Sequence, residues 1–149
     1  MKKVLLLILA AVSPLLLHAQ SQPTESERAV QQTVVNMFGG LSEPDSLTLK
    51  KYCSADVTFY ENGQVWNLDS MIRKAVVPNI GIDFKRTNKF DFIKTTIREN
   101  TAWVTYNLYS DIKKGERNTR VHWMETVIVV REKKQWKIKI LHSTLIKRN

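Results

Sequence analysis

Glu125 and His142 are the acid and the imidazole that the last two predicted strands send to one face. A histidine titrates near neutrality and a neighbouring carboxylate fixes its tautomer, so the pair is suited to proton transfer in an apolar hollow. The same two residues would also make an ordinary structural polar pair. Whether they meet depends on strand register. Val121 to Val130 and Trp136 to Ile146 are apolar-alternating runs joined by the charged corner Arg131 to Gln135, which predicts a long antiparallel hairpin. Trp136, Ile138, Ile140, His142 and Thr144 then share a face, while Lys137 and Lys139 begin the other. A turn through Lys133-Lys134 sets Val129 against Ile138, Val127 against Ile140, Glu125 against His142 and Trp123 against Thr144. A two-residue loop without glycine is not the favoured kind, and an odd-length turn would separate the pair.

Tyr60, Trp66 and Tyr106 offer further donors or an apolar wall, and Trp123, Trp136 and Thr144 complete the expected hollow; each also suits a plain core position. No metal site is predicted, because His122 has the opposite strand parity to Glu125 and too few ligands converge. No glycine-rich phosphate loop or nucleophile elbow is visible, and no cofactor is expected. The single cysteine, Cys53, has no basic neighbour in sequence and reads as a small buried residue.

The elements that must position these groups follow in order. Thr24-Glu25-Ser26-Glu27 has the form of a capping box, and Ala29, Val30, Thr33, Val34, Met37 and Phe38 make one apolar stripe that Gly39-Gly40 should end. A shorter helix is expected from Ser42 to Tyr52, with Pro44 and Asp45 in its first turn. Asp56 to Tyr60 alternates up to the turn signal Asn62-Gly63, and Gln64-Val65-Trp66 completes a small hairpin. Asn67 should cap a third helix that stops near Val77, before Pro78. Four strands follow, Lys89 to Arg98, Thr101 to Ser110, Val121 to Val130 and Trp136 to Ile146, as an antiparallel meander. Helices first and long strands after them predict an α+β fold.

The spacing Trp136, Ile138, His142, Thr144 in the final strand, with this element order, resembles the nuclear transport factor 2-like superfamily, which includes ketosteroid isomerase and the SnoaL-like polyketide cyclases. The resemblance covers most of the chain from the first helix to the Trp136 strand. It implies three N-terminal helices packed on a curved, mostly antiparallel sheet, a cone with a concave pocket between sheet and first helix. The pocket so implied would take a small, largely apolar molecule, and with the N-terminal residues described next the chain is expected to be an exported bacterial member of that superfamily. The aspartate base and the oxyanion donors of ketosteroid isomerase have no residue-by-residue match here.

Lys2-Lys3, the apolar run Val4 to Leu17 and Leu17-His18-Ala19 read as a signal peptide, so residues 1–19 should be removed and 20–149 form one domain. The expected product is periplasmic or secreted and without stable membrane association, since the apolar run falls short of the ~20 residues of a spanning helix. The formal net charge is +9, and from Lys113 onward 11 basic residues stand against 3 acidic ones. That charge gathers at turns and strand ends rather than among exposed aromatics, which argues against nucleic acid as a partner. The other parity of the last hairpin carries Met124, Thr126, Ile128, Leu141, Ser143 and Leu145, too apolar for water, so a homodimer through the outer sheet face is expected. Two readings stand: acid and base chemistry of the isomerase, dehydratase or hydrolase type through His142 and Glu125, or a noncatalytic dimerising or ligand-binding module.

Overall fold

The computed structural model describes residues 22–149; the expected signal peptide and its cleavage point lie outside them. Two helices, α1 (Glu25–Ser42) and α2 (Ser46–Tyr52), precede the hairpin of β1 (Cys53–Glu61) and β2 (Gln64–Trp66). A short helix α3 (Leu68–Met71) runs on through a π turn, Ile72–Val76, and a 3-10 turn, Val77–Asn79. Four long strands complete the chain: β3 (Phe84–Arg98), β4 (Thr101–Lys114), β5 (Arg117–Glu132) and β6 (Gln135–Arg148). The architecture is α+β, with two helices before the first strand and the third between β2 and β3.

All six strands form one sheet in the order β2-β1-β6-β5-β4-β3. Every neighbouring pair is antiparallel except β1 with β6, which run parallel and join the N-terminal hairpin to the meander. α1 lies across the inner face, burying Val30, Val34, Met37, Phe38 and Leu41 against inward residues such as Val104, Tyr106, Leu108 and Val127. Thr24 and Glu27 cap it reciprocally, as the sequence predicts.

Three details depart from the sequence reading. Gly39 and Gly40 do not end α1, which continues to Ser42. Gly40 is instead a packing position: a Cβ there would lie 2.3 Å from the Leu49 side chain and 2.9 Å from the Asp45 carbonyl, so its bareness lets α2 close onto α1. The second helix therefore starts later, at Ser46, with Asp45 as its cap, accepting from the Leu47 amide at 2.8 Å.

The third departure is the register of the final hairpin. The turn is the two-residue one expected, with both Lys133 (φ 48) and Lys134 (φ 69) in the left-handed region that this turn requires. Val129 accordingly faces Ile138. A bulge then inserts Lys139 into β6, so that Ile128 faces Ile140, Thr126 faces His142 and Glu125 faces Ser143. One extra residue reverses the facing of everything beyond it. Leu141 and Ser143 turn inward, and His142 and Thr144 turn out and are exposed. A second bulge between His122 and Trp123 and a third in β3 before Lys94 add to the bending of these long strands.

Candidate functional site

The inner faces of β1, β3, β5 and β6, with α1 and the α3 segment, enclose a cavity of about 160 Å³. Its apolar walls come from Met37, Phe38 and Leu41 of α1, Met71 and Ala75 of the α3 segment, and Leu141 of β6. Its polar groups are Glu61, Arg86, Glu125 and Ser143, with the indoles of Trp66 and Trp123 beside them. A broader depression of about 590 Å³ lies between Lys85, Asp111, Lys113 and Arg120, but it is open and lined mostly by exposed surface residues.

Glu125 is the buried acid of this cavity, 3% exposed. Strand alternation puts it in line with Trp123, Val127 and Val129, all inward. The Tyr106 hydroxyl donates to its Oε2 at 2.6 Å and the Ser143 hydroxyl to its Oε1 at 2.8 Å. Burial pushes the Glu125 carboxyl up to about 7, because an anion loses its hydration there; the two hydroxyl donors oppose that shift, the Glu61 charge adds to it and Arg86 opposes it. Each carboxylate oxygen has a further lone pair, so the group retains capacity to accept from a ligand. Burial, and after it the Glu125 charge, holds the Tyr106 phenol well above its usual range, so it remains a donor.

Arg86 enters from β3, half-buried. Its Nε donates to Asn88 Oδ1 at 2.9 Å and its Nη2 to Ser110 Oγ at 3.2 Å, while Ser110 and Asn88 are tied to each other and to Ser42. The guanidinium lies between the rings of Phe38 (5.4 Å) and Trp123 (5.6 Å). Burial lowers its pKa and the Glu125 and Glu61 charges raise it again; an arginine in this setting stays charged. Glu61, half-buried at the end of β1, is raised by burial and drawn back by Ser143, Arg86 and Arg148. Among the described residues, Arg86 makes no ion pair, and the indole nitrogen of Trp123 is buried with no hydrogen-bond partner.

The structure brings together Glu125, Tyr106, Trp123 and Trp66 of the residues that sequence singled out. It separates the others. His142 and Tyr60 lie edge to face at 5.9 Å on the outer side of the sheet, and Thr144 is exposed there too. Trp136 is buried away from the cavity lining, under the Arg131 guanidinium at 4.5 Å. The pairing of Glu125 with His142 is therefore corrected: the Lys139 bulge gives Glu125 a serine partner instead.

Sequence reasoning missed Glu61, Arg86 and Ser143. Arg86 had a signal, since Phe84, Arg86, Asn88, Phe90 and Phe92 alternate along β3, a cation inside an aromatic row. Glu61 continues the inward parity of Val57 and Phe59 but abuts the Asn62-Gly63 turn and was absorbed into it. Ser143 was assigned to the outer face by the unbulged register. Cys53 is buried as expected, its thiol pushed up to about 12 by burial, which leaves it unreactive. Among the described residues no cluster of metal-ligating side chains occurs, and no helix is long and apolar enough to cross a membrane.

No family model matches the sequence, and no curated protein does. Solved structures do match. A nuclear transport factor 2-like protein from Cytophaga hutchinsonii superposes with a TM-score of 0.68 at 14% identity, over 83% of this chain and 100% of that one. A candidate ketosteroid isomerase from Shewanella frigidimarina gives 0.63 at 19% identity, over 78% and 94%. A hexachlorocyclohexane dehydrochlorinase from Novosphingobium barchaimii gives 0.65 at 13% identity, over 83% and 88%. At these identities the likeness is one of backbone, and by it the chain has the fold of the nuclear transport factor 2-like superfamily.

Proposed function

We propose that the chain binds a small, largely apolar molecule in the cavity of its cone and transfers a proton with Glu125. The observation that carries this is a carboxyl group 3% exposed, on a cavity wall, with its pKa pushed to about 7. Such a group is divided between acid and base at neutral pH, which is the condition under which proton transfer in either direction is efficient. Tyr106 and Ser143 orient it, and the Arg86 charge stands ready for an oxyanion formed when a carbon acid loses its proton. His142 has no part in this reading, because its ring is on the outer face. Structural neighbours that include a candidate ketosteroid isomerase and a dehydrochlorinase support proton abstraction as a chemistry this fold accommodates. The test is deuterium exchange, followed by NMR, at the α-carbon of small carbonyl compounds such as butanone in D₂O. Exchange that is catalysed by the native chain and lost in Glu125→Gln is the expected result; equal exchange in both overturns the assignment.

A noncatalytic ligand-binding reading has its own support, since both Glu125 oxygens already accept protein hydrogen bonds, as a purely structural carboxyl would. Catalytic exchange separates the two. We also infer a homodimer through the outer sheet face and export after cleavage behind Ala19. For the first, Trp103 (39% exposed), Tyr109 (40%) and Met124 (47%) leave apolar surface uncovered by the described residues. Leu141 and Ser143, expected on that face, have turned inward with the bulge. The Lys2-Lys3 start and the apolar run behind it support the second.

A further inference from the structure

The cavity contains more donors than its own acceptors use. Arg86 spends Nε and Nη2 on Asn88 and Ser110, which leaves Nη1 without a partner among the described residues. Trp123, on the same wall and 8% exposed, has its indole N–H buried and unpartnered. A buried donor with no acceptor costs on the order of 1 to 3 kcal/mol, and the Trp123 N–H is one; Arg86 Nη1, which is not fully buried, is a charged donor open to a guest in the same hollow. The guanidinium lies over the Trp123 ring at 5.6 Å, and a planar carboxylate suits such a donor group best, because its two oxygens can accept from separate N–H groups. The remaining walls are apolar. At about 160 Å³ the space equals about five waters at ~30 Å³ each, room for roughly six non-hydrogen atoms.

We propose that this cavity takes a small monocarboxylate with a short apolar tail, its carboxylate on Arg86 Nη1 and Trp123 Nε1 and its tail against Met37, Phe38, Leu41 and Leu141. The proposal rests on the reading of the cavity as a ligand site and names the polar end of its ligand. Two further carboxyls face the guest, Glu61 from β1 and Glu125 from β5, together with Arg86 from β3, and the Tyr106 hydroxyl of β4 stands behind Glu125; Arg148 of β6 acts on Glu61, and the helices contribute no charged group to the lining. An incoming anion is repelled by ionised Glu125 and Glu61 and welcomed by their protonated forms. Binding therefore takes up a proton, and affinity weakens as pH rises through neutrality.

The experiment is isothermal titration of residues 20–149 with butyrate and with butyramide, its uncharged isostere, at pH 5.5 and pH 8. Butyrate should bind, at least tenfold more tightly than butyramide, and at least tenfold more tightly at pH 5.5 than at pH 8. Arg86→Gln should weaken butyrate by tenfold or more. Should that variant fail to fold by circular dichroism, Trp123→Phe, which keeps a ring and removes the N–H, decides the matter with an expected loss of threefold or more. Equal binding of acid and amide, no butyrate binding, or wild-type affinity in folded variants would each overturn the proposal. Absent butyrate binding alongside Glu125-dependent exchange on butanone sinks this inference alone. Butyrate binding with no exchange on any carbonyl compound sinks the proton-transfer reading and leaves this one standing.

Discussion

A glutamate unfolded in water titrates near 4.5, and Glu125 in the folded chain near 7. Between those values the folded chain holds a proton that the unfolded chain has released, so this group's contribution to stability is full at or below about pH 4.5 and declines as pH rises to about 7, where it levels off. Glu61, raised in the same direction, adds to the trend. The loss attributable to Glu125 should be on the order of 2 to 3 kcal/mol between pH 4.5 and pH 8. Urea unfolding at the two pH values measures it, and in Glu125→Gln most of that slope should vanish. A slope that Glu125→Gln leaves unchanged would mean that another group carries it. Part of this site was legible from sequence: Glu125, Tyr106, Trp66 and Trp123 fall to the inner face by simple alternation, upstream of any irregularity or on strands whose parity holds. Ser143 and His142 exchanged places for one reason, the extra residue at Lys139, and a bulge of this kind leaves no mark in a period-two pattern where Lys137 and Lys139 both look like solvent-facing residues.

Element boundaries show the same division. Capping residues were readable because their chemistry is local: Thr24 with Glu27, and Asn67 accepting from the Ser70 amide, act within one turn. The glycines of α1 were not, because the reason for Gly40 lies in α2 and becomes visible only when the helices meet. The two adjacent glycines therefore make a matched test. Gly39→Ala meets nothing within 4 Å and should stabilise the chain by about 0.5 to 1 kcal/mol, the helix-propensity gain. Gly40→Ala should destabilise it by about 1 to 3 kcal/mol through collision with Leu49 and the Asp45 carbonyl. Midpoints of urea denaturation compare them directly; equal effects of the same sign would show that the α1 to α2 contact is looser than these distances imply.

For the molecule as a whole, an apolar outer face predicts self-association. Light scattering at micromolar concentration should report a dimer, and Met124→Lys, which places a charge amid that face, should shift it to monomer while leaving the fold intact; a native chain that stays monomeric removes the prediction. Mass spectrometry of the protein from its host should find Gln20 at the N-terminus, and an intact Met1 would end the export expectation. The order of helices and strands was legible because it is written in local periodicity. The joining of β1 to β6 was not, since Cys53 and Ile138 are neighbours only in the finished sheet. That parallel seam also constrains how the chain comes into being. While a ribosome delivers residues one after another, the first hairpin has no lateral partner until the segment around Ile138 to His142 arrives, so everything made earlier waits as an open assembly. Completion is thus an event of the C-terminus: a chain stopped at Lys134 would lose not one strand but the connection between the two halves of its sheet, and should remain a substrate for proteases and chaperones rather than a slightly shortened version of the same protein.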